Sequence, residues 1–376
     1  MSMRVAYDRE MFVRQERGGI TRYFSELIRC LADHPELGIE PSLTFSRCSN
    51  EHLLAALPEM TAAMPTLRLV PRGVPRMVNS EDLIKDSYLR YRAGSRGKSE
   101  QFDWLHATSY RPMKSDLAHG TRIAVSIYDM FAVGGEARRW ADPHRGKREL
   151  ASRADLVIAI SQTTAGLFNE LLPGNEAKVV VTPLGVRSEF FEQTESVQAP
   201  IAFPYLLFVG ARALYKRFDL LCAALELVRN RGHDIGLVVA GAPVTDEELA
   251  MVGSAARTDR FCALTPTDAE LAALYQRATA FVFPSEMEGF GLPLLEAAAA
   301  GCPLIASDIP IFHEVAGDAG WFFSSGDAES LAVTIESVLN SSVDRVAKQG
   351  LGRERAQEST WMATATATAN AYLAFA

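Results

Sequence analysis

The chain has 376 residues, 48% hydrophobic and 22% charged, with a formal net charge of -8, which are the proportions of a soluble globular protein long enough for two ordinary domains. No apolar run reaches the ~20 residues that a membrane span needs, and the opening MSMRVAYDRE is too polar for a signal peptide, so a cytoplasmic protein is expected. The five cysteines, Cys30, Cys48, Cys222, Cys262 and Cys302, are odd in number, scattered and without CxxC or Cys/His spacing, which argues against a disulfide framework or a zinc site and for reduced, mostly buried thiols.

In chain order, short apolar β-rich runs alternate with helical patterns. Strands are expected at RVAYD (4–8), SLTF (42–45), TLRLV (66–70), DWLHA (103–107), RIAVSIYD (122–129), ADLVIAIS (154–161) and AKVVVTP (177–183), with helices between them, notably ITRYFSELIRCLADH from Ile20 and QTTAGLFNELL from Gln162. A connector without periodicity, TESVQAPIAFP, follows, and the pattern restarts. YLLFVG (205–210), a helix around DLLCAALELVRNRG, IGLVVAG (235–241), FCALT, TAFVFPS, PLIAS and GWFFS form a second series. The reading is α/β: two doubly wound parallel-sheet domains, 1–195 and 196–355, facing a central cleft. No short internal repeat is visible.

Charge follows the same division. Residues 1–195 carry 26 basic and 25 acidic side chains, and the remainder 12 and 21. Basic residues gather at 68–98, where Arg68, Arg72, Arg76, Lys85, Arg90, Arg92, Arg96 and Lys98 stand against Glu81, Asp82 and Asp86. The plain reading is a solvated surface, and the sharper one a surface meeting anionic lipid or an anionic acceptor. Nothing aromatic is interleaved for base stacking, so nucleic acid is not expected.

Ligands of such sheets bind beyond the carboxyl ends of the strands. Three exits stand out. After the first strand, Gly18-Gly19 precedes a helix whose start favours an anion. After YLLFVG, the loop ARALYKRFD gathers Arg212, Lys216 and Arg217 before a helix, where cations oppose the dipole unless an anion such as a diphosphate joins them. After TAFVFPS comes EMEGFGLPLLE, with Pro293 where a helix should begin. Gly289 and Gly291 would leave the amides of Phe290, Gly291 and Leu292 open to a phosphate or sugar. Glu288 then falls in the loop and Glu296 in the first helical turn. Alone, each glutamate fits a surface or dipole role; together they suit the vicinal hydroxyls of a ribose or pyranose. The constellation describes a nucleotide-sugar site.

At these residues the chain resembles the retaining glycosyltransferases of the GT-B fold, in the large group called family four or group 1. Glu288-GFGLPLL-Glu296 is similar to the family's E-x7-E element, VGARALYKRFD to its phosphate-binding loop, and RGGITRYFSELIRCL to its first-domain glycine loop. VVVTPLGV and TDAELAALYQRATAFVFPSEMEGFGLP match further family segments in order.

The resemblance implies a metal-independent hexosyltransferase whose second domain binds the nucleotide sugar. Glu296 would meet the ribose, Arg212 and Lys216 the diphosphate, Glu288 the transferred sugar, and backbone near Leu264 and Thr265 the base. Arg212, Lys216 and Glu288 are the expected catalytic residues. Gly18, Gly19, Arg217, Phe290, Gly291 and Leu292 complete the expected donor set. It also implies that a C-terminal helix, 356–376, returns to the first domain. A glycan or lipid-linked acceptor is expected against that domain, in bacterial surface polysaccharide or lipopolysaccharide synthesis, on the inner face of the membrane. Family frequency puts GDP-mannose first and a UDP-hexose second. Where many relatives have His followed by Asp at the cleft end of a strand, this chain has Tyr128-Asp129. The histidine's role does not transfer, but a tyrosine there can still hydrogen-bond an acceptor or donor hydroxyl, so Tyr128 and Asp129 are expected as acceptor or cleft residues. His106 divides evenly between a core residue and a cleft residue. Rivals are a sugar-phosphate or sucrose-type synthase and an inactive nucleotide-sugar-binding subunit, while the absent GxGxxG fingerprint disfavours an oxidoreductase.

Overall fold

The computed structural model describes residues 2–15, 17–62, 64, 101–110, 120–130, 145–175, 178–192, 201–255 and 259–376. The basic stretch 68–98 and the expected strand at 66–70 lie outside them. The chain divides into two units, Met1–Leu184 with Trp361–Ala376, and Gly185–Thr360.

In the first unit the apolar runs become β1 (Met3–Tyr7), β2 (Ile39–Leu43), β3 (Trp104–Ala107), β4 (Arg122–Ile127), β5 (Leu156–Ala159) and β6 (Val179–Val181). They pair in parallel in the order β2-β1-β3-β4-β5-β6. Every residue of β3 and β5 is buried, as expected of parallel strands covered on both faces, whose sequences are continuous rather than alternating.

The helix Gly19–Asp33 buries Phe24, Leu27, Ile28 and Leu31 at the 3.6-residue spacing. The C-terminal helix Trp361–Ala374 belongs to the same unit, with Trp361 against Tyr23 at 6.4 Å between ring centroids. It is tied in by a buried polar chain. Tyr372 Oη meets Tyr7 Oη at 3.1 Å and His106 Nδ1 at 2.5 Å; His106 Nε2 meets Ser126 Oγ at 2.9 Å, and Ser126 Oγ meets Tyr23 Oη at 3.0 Å. His106 has no solvent exposure, and burial lowers its pKa to about 3, so it is a neutral core residue rather than a cleft residue.

The second unit repeats the plan. β7 (Tyr205–Val209), β8 (Gly236–Ala240), β9 (Phe261–Leu264), β10 (Ala280–Phe283), β11 (Leu304–Ser307) and β12 (Gly320–Phe323) form a parallel sheet in the order β12-β11-β10-β7-β8-β9. Leu206, Phe208, Leu237 and Val239 pack with Leu221, Leu225 and Ile335 from the flanking helices. The helices Asp246–Met251 and Asp268–Arg277 each open on a capping box, from Thr245 with Glu248 and from Thr267 with Glu270.

The boundary falls at Leu184, ahead of residue 195, because the segment after it is built into the second unit. Val186 N donates to Ser359 O at 2.9 Å, and Phe190 is buried beside Tyr275. The return falls at Trp361 rather than 356, since Ala356 is buried in the helix Ser342–Glu358 of that unit. The cysteines are free; all but Cys262 are buried. Among the described residues no helix is long and apolar enough to cross a membrane.

Candidate functional site

The second sheet reverses strand order between β7 and β10, and the crevice beyond the carboxyl ends at such a reversal is where ligands bind. The loops leaving these two strands are the Arg/Lys loop and the EMEGFGLP loop.

β7 exits into Gly210, which has φ +119; Gly210 N donates to Ala240 O, and Gly241 N to Leu264 O, each at 2.9 Å. A Cβ on Gly241 would stand 2.7 Å from Gly210 O, so the close crossing of the two loops requires glycine at 241. Thr265 Oγ1 donates to Gly241 O at 2.7 Å. The Leu264 carbonyl and the Thr265 hydroxyl are therefore both engaged in holding this crossing.

Beside it lies Arg212, its side chain 5% exposed and its Nε 2.8 Å from Glu248 Oε1. Lys216 Nζ forms an ion pair with Glu288 Oε1, the side chains 15% and 13% exposed. The same ammonium lies 5.3 Å from the Tyr215 ring centroid and 5.1 Å from that of Phe283, an arrangement that favours a cation. Arg217 has φ +49, a left-handed conformation uncommon for a residue with a side chain. Its guanidinium is spread over Asp219 and Glu286, and Glu286 N donates to Tyr215 O at 2.9 Å. The two loops are thus bound together by a backbone hydrogen bond flanked by the Lys216–Glu288 and Arg217–Glu286 pairs.

β10 leads through buried Phe290 to Gly291, at φ +101 and ψ +52, which caps the helix Leu292–Ala299. The helix begins at Leu292, one residue before Pro293, so Glu296 falls in the second turn and not the first. Its carboxylate is buried at 6% exposure, with the Tyr275 hydroxyl 3.4 Å from Oε2. Among the described residues the amides of Phe290, Gly291 and Leu292 make no hydrogen bond, which leaves the helix start able to accept an anion.

A Cβ on Gly291 would lie 3.2 Å from the Phe283 ring and 3.3 Å from that of Phe312. Gly291→Ala is expected to lower stability by about 1–3 kcal/mol through the strained φ and the ring contacts. Chemical denaturation checks it, and unchanged stability would contradict the geometry.

The remaining expected residues lie in the first unit. Gly18 caps the helix Gly19–Asp33 in extended conformation, its carbonyl accepting from Arg22 N and Thr21 Oγ1. Tyr128 is buried, and its hydroxyl donates to Thr108 O at 3.0 Å. It is occupied inside the unit rather than presented to a substrate hydroxyl, and burial raises its pKa well above the ordinary value. Asp129 pairs with buried Lys147 at 2.6 Å. At the β1 exit, Asp8 accepts from Glu10 N, Thr108 N and Thr108 Oγ1, and burial pushes its carboxyl up to about 6.

Sequence reasoning had not assigned Asp8, Lys147, Glu248, Tyr275 or Glu286. Only Glu248 carried a local signal, the T-x-x-E cap, and that signal names a backbone role. Among the described residues no group of three or more His, Cys, Asp or Glu side chains could hold a metal ion.

Two family models match adjoining parts of the chain, one described as Glycosyltransferase Family 4 over residues 17–190 and one as Glycosyl transferases group 1 over 190–353. The O-antigen chain mannosyltransferase B of Escherichia coli is 27% identical over 236 residues, covering 60% of this chain and 62% of that one. The chain thus spans about three-fifths of that relative's length. Among solved structures, sucrose-phosphate synthase from Thermosynechococcus elongatus is similar with a TM-score of 0.74 at 20% identity, covering 99% of this chain and 98% of the other. HepE of Anabaena, solved in complex with UDP and glucose, is similar with a TM-score of 0.69 at 16% identity, covering 99% and 98%.

Proposed function

The chain belongs to the group 1 glycosyltransferases and has their GT-B fold, and from that premise we propose that it is a retaining, metal-independent hexosyltransferase using a nucleoside-diphosphate sugar. The observation that carries the reading is the pairing of Lys216 with Glu288 across the β7 and β10 exits, beside a helix start whose amides are open.

In this reading the diphosphate lies against Arg212, Lys216 and the amides of Phe290, Gly291 and Leu292, while Glu288 holds hydroxyls of the transferred sugar and Glu296 those of the ribose. As the bond to the anomeric carbon breaks, positive charge grows on the sugar and negative charge on the leaving diphosphate. Fixed cations and amides aimed at that diphosphate lower the barrier without reorganising. The leaving phosphate takes the acceptor's proton on the same face, so configuration is retained and no protein base is required.

Mannose from GDP-mannose is the first choice of donor, supported by the mannosyltransferase among the relatives. A UDP-hexose is the second, supported by the UDP and glucose bound to HepE. The acceptor is a glycan or lipid-linked glycan hydroxyl of a bacterial surface polysaccharide.

Thermal-shift titration with GDP, UDP, ADP and their sugars tests the donor reading, since a ligand that binds only the folded state raises Tm. At 100 times Kd the gain is about 2.7 kcal/mol. One nucleotide and its sugar are expected to stabilise the protein selectively, with release or transfer of the sugar by the purified chain. No shift with any of them would overturn the reading.

A further inference from the structure

Arg212 is held more firmly than a loop cation needs to be. Its Nη2 donates to Ala242 O at 3.0 Å and to Pro243 O at 2.8 Å, while Nε lies 2.8 Å from Glu248 Oε1. Nε meets Glu248 as an ion pair without a hydrogen bond, and the remaining terminal nitrogen, Nη1, is likewise buried without a hydrogen-bond partner. The position a Cβ would take on Gly241 is 3.8 Å from it. The guanidinium is planar, so the two carbonyl bonds at Nη2 and the ion pair at Nε together set the direction of Nη1. A buried charged donor left unpaired is unfavourable and is relieved by an incoming acceptor.

The carboxylate that does the fixing has a second contact. Glu248 Oε2 accepts from Thr245 N at 2.9 Å, completing the capping box of the helix Asp246–Met251. Burial pushes the Glu248 carboxyl up, but the Thr245 amide and Arg212 more than offset it and leave it below the usual glutamate range, so it is charged at neutral pH. The helix cap and the arginine are therefore held by the two oxygens of one group.

We propose that Glu248 is a positioning residue of the donor site: with the carbonyls of Ala242 and Pro243 it clamps the Arg212 guanidinium so that Nη1 is presented to an anionic oxygen of a nucleoside diphosphate. This rests on the donor reading above. It assigns to the loop and helix after β8 a part in diphosphate recognition although Glu248 itself touches no ligand.

The test is calorimetric titration of the full chain with GDP and with UDP. Glu248→Gln keeps the size of the side chain and an oxygen for Thr245 N, but removes the charge facing Arg212. Thr245→Ala removes the cap and leaves the carboxylate. Glu248→Gln is expected to weaken binding of the nucleotide that the wild type accepts by about tenfold, the worth of one charge-assisted contact. Thr245→Ala is expected to lower Tm with Kd unchanged, and in an Arg212→Ala background Glu248→Gln should have no further effect. Equal or tighter binding by Glu248→Gln overturns the proposal, as does an equal weakening by Thr245→Ala, which would make helix capping the cause. Wild-type protein that binds neither nucleotide overturns the donor reading and this proposal with it, a result distinct from wild-type binding that the variant leaves intact.

Discussion

Glu288→Ala is expected to reduce glycosyl transfer by at least about a thousandfold, in the range lost when a group acting on the transition state is removed, while the chain stays folded. The pair with Lys216 is mostly out of solvent, so removing one partner leaves an ammonium that neither water nor protein fully satisfies. Because some exposure remains, that cost is about 1–2 kcal/mol, too little to unfold a domain of this size. Glu288→Gln keeps the shape and is expected to lose nearly as much activity, since an amide oxygen does not replace a carboxylate beside a cation. Lys216→Ala should be comparably inactive. The double variant should be little worse than either single one, because the two groups act as a unit. Initial rates with the accepted donor, together with Tm for each variant, decide the matter. A Glu288→Ala protein with wild-type turnover would falsify the assignment of Glu288 to the transferred sugar.

The architecture was largely readable because parallel strands are continuous apolar runs. VVVTP, LIAS and FVF declare themselves without alternation, and β3, β4 and β7 to β12 lie within a residue or two of the expected runs. β2 was harder: SLTF suggested 42–45, whereas pairing with β1 places the strand at Ile39–Leu43, through Glu40 and Pro41. Pro41 can lie there because an edge strand need not donate on its outer side. Of the candidate site, the sequence pattern anticipated that Lys216 and Glu288 lie on neighbouring strand exits and that Gly291 opens a helix, and the structure pairs the first two and gives the third a left-handed cap.

Pairing was what one dimension hid. Arg217 reads as one more phosphate-facing cation, yet its backbone is left-handed and its guanidinium is spread over Asp219 and Glu286. Glu248 reads as a capping residue only, because its second oxygen meets an arginine from another loop. His106 showed the same limit: a histidine at a strand end is equally a ligand or a core residue until its neighbours are known, and Tyr372 comes from the far end of the chain.

Below neutral pH, that burial makes His106 the residue from which the largest change in stability is expected. Its ordinary pKa is 6.5 and burial lowers it to about 3 in the folded chain. Between those values the unfolded chain binds a proton that the folded chain refuses, so stability falls as pH drops below 6.5. The loss attributable to this one group reaches about 2 kcal/mol at pH 5 and about 4 kcal/mol at pH 3. Asp8, whose carboxyl burial raises to about 6, acts with the opposite sign: its contribution is present in acid and lost as pH rises through 6. Its effect is common to wild type and a His106 variant and cancels in their difference.

His106→Gln keeps at most one of the two buried hydrogen bonds, to Tyr372 and Ser126, and should be less stable by about 1–3 kcal/mol at pH 7. Having no imidazole to protonate, it should lose stability less steeply in acid, so the two curves should converge and cross near pH 5. Denaturant titrations from pH 4 to 8, followed by tryptophan fluorescence, measure both curves. Trp104 and Trp361, buried in the same unit as His106, report on its opening. Parallel curves across that range would mean that His106 is protonated without unfolding the core, and that the Tyr7–Tyr372–His106–Ser126–Tyr23 chain opens to water well before the unit unfolds.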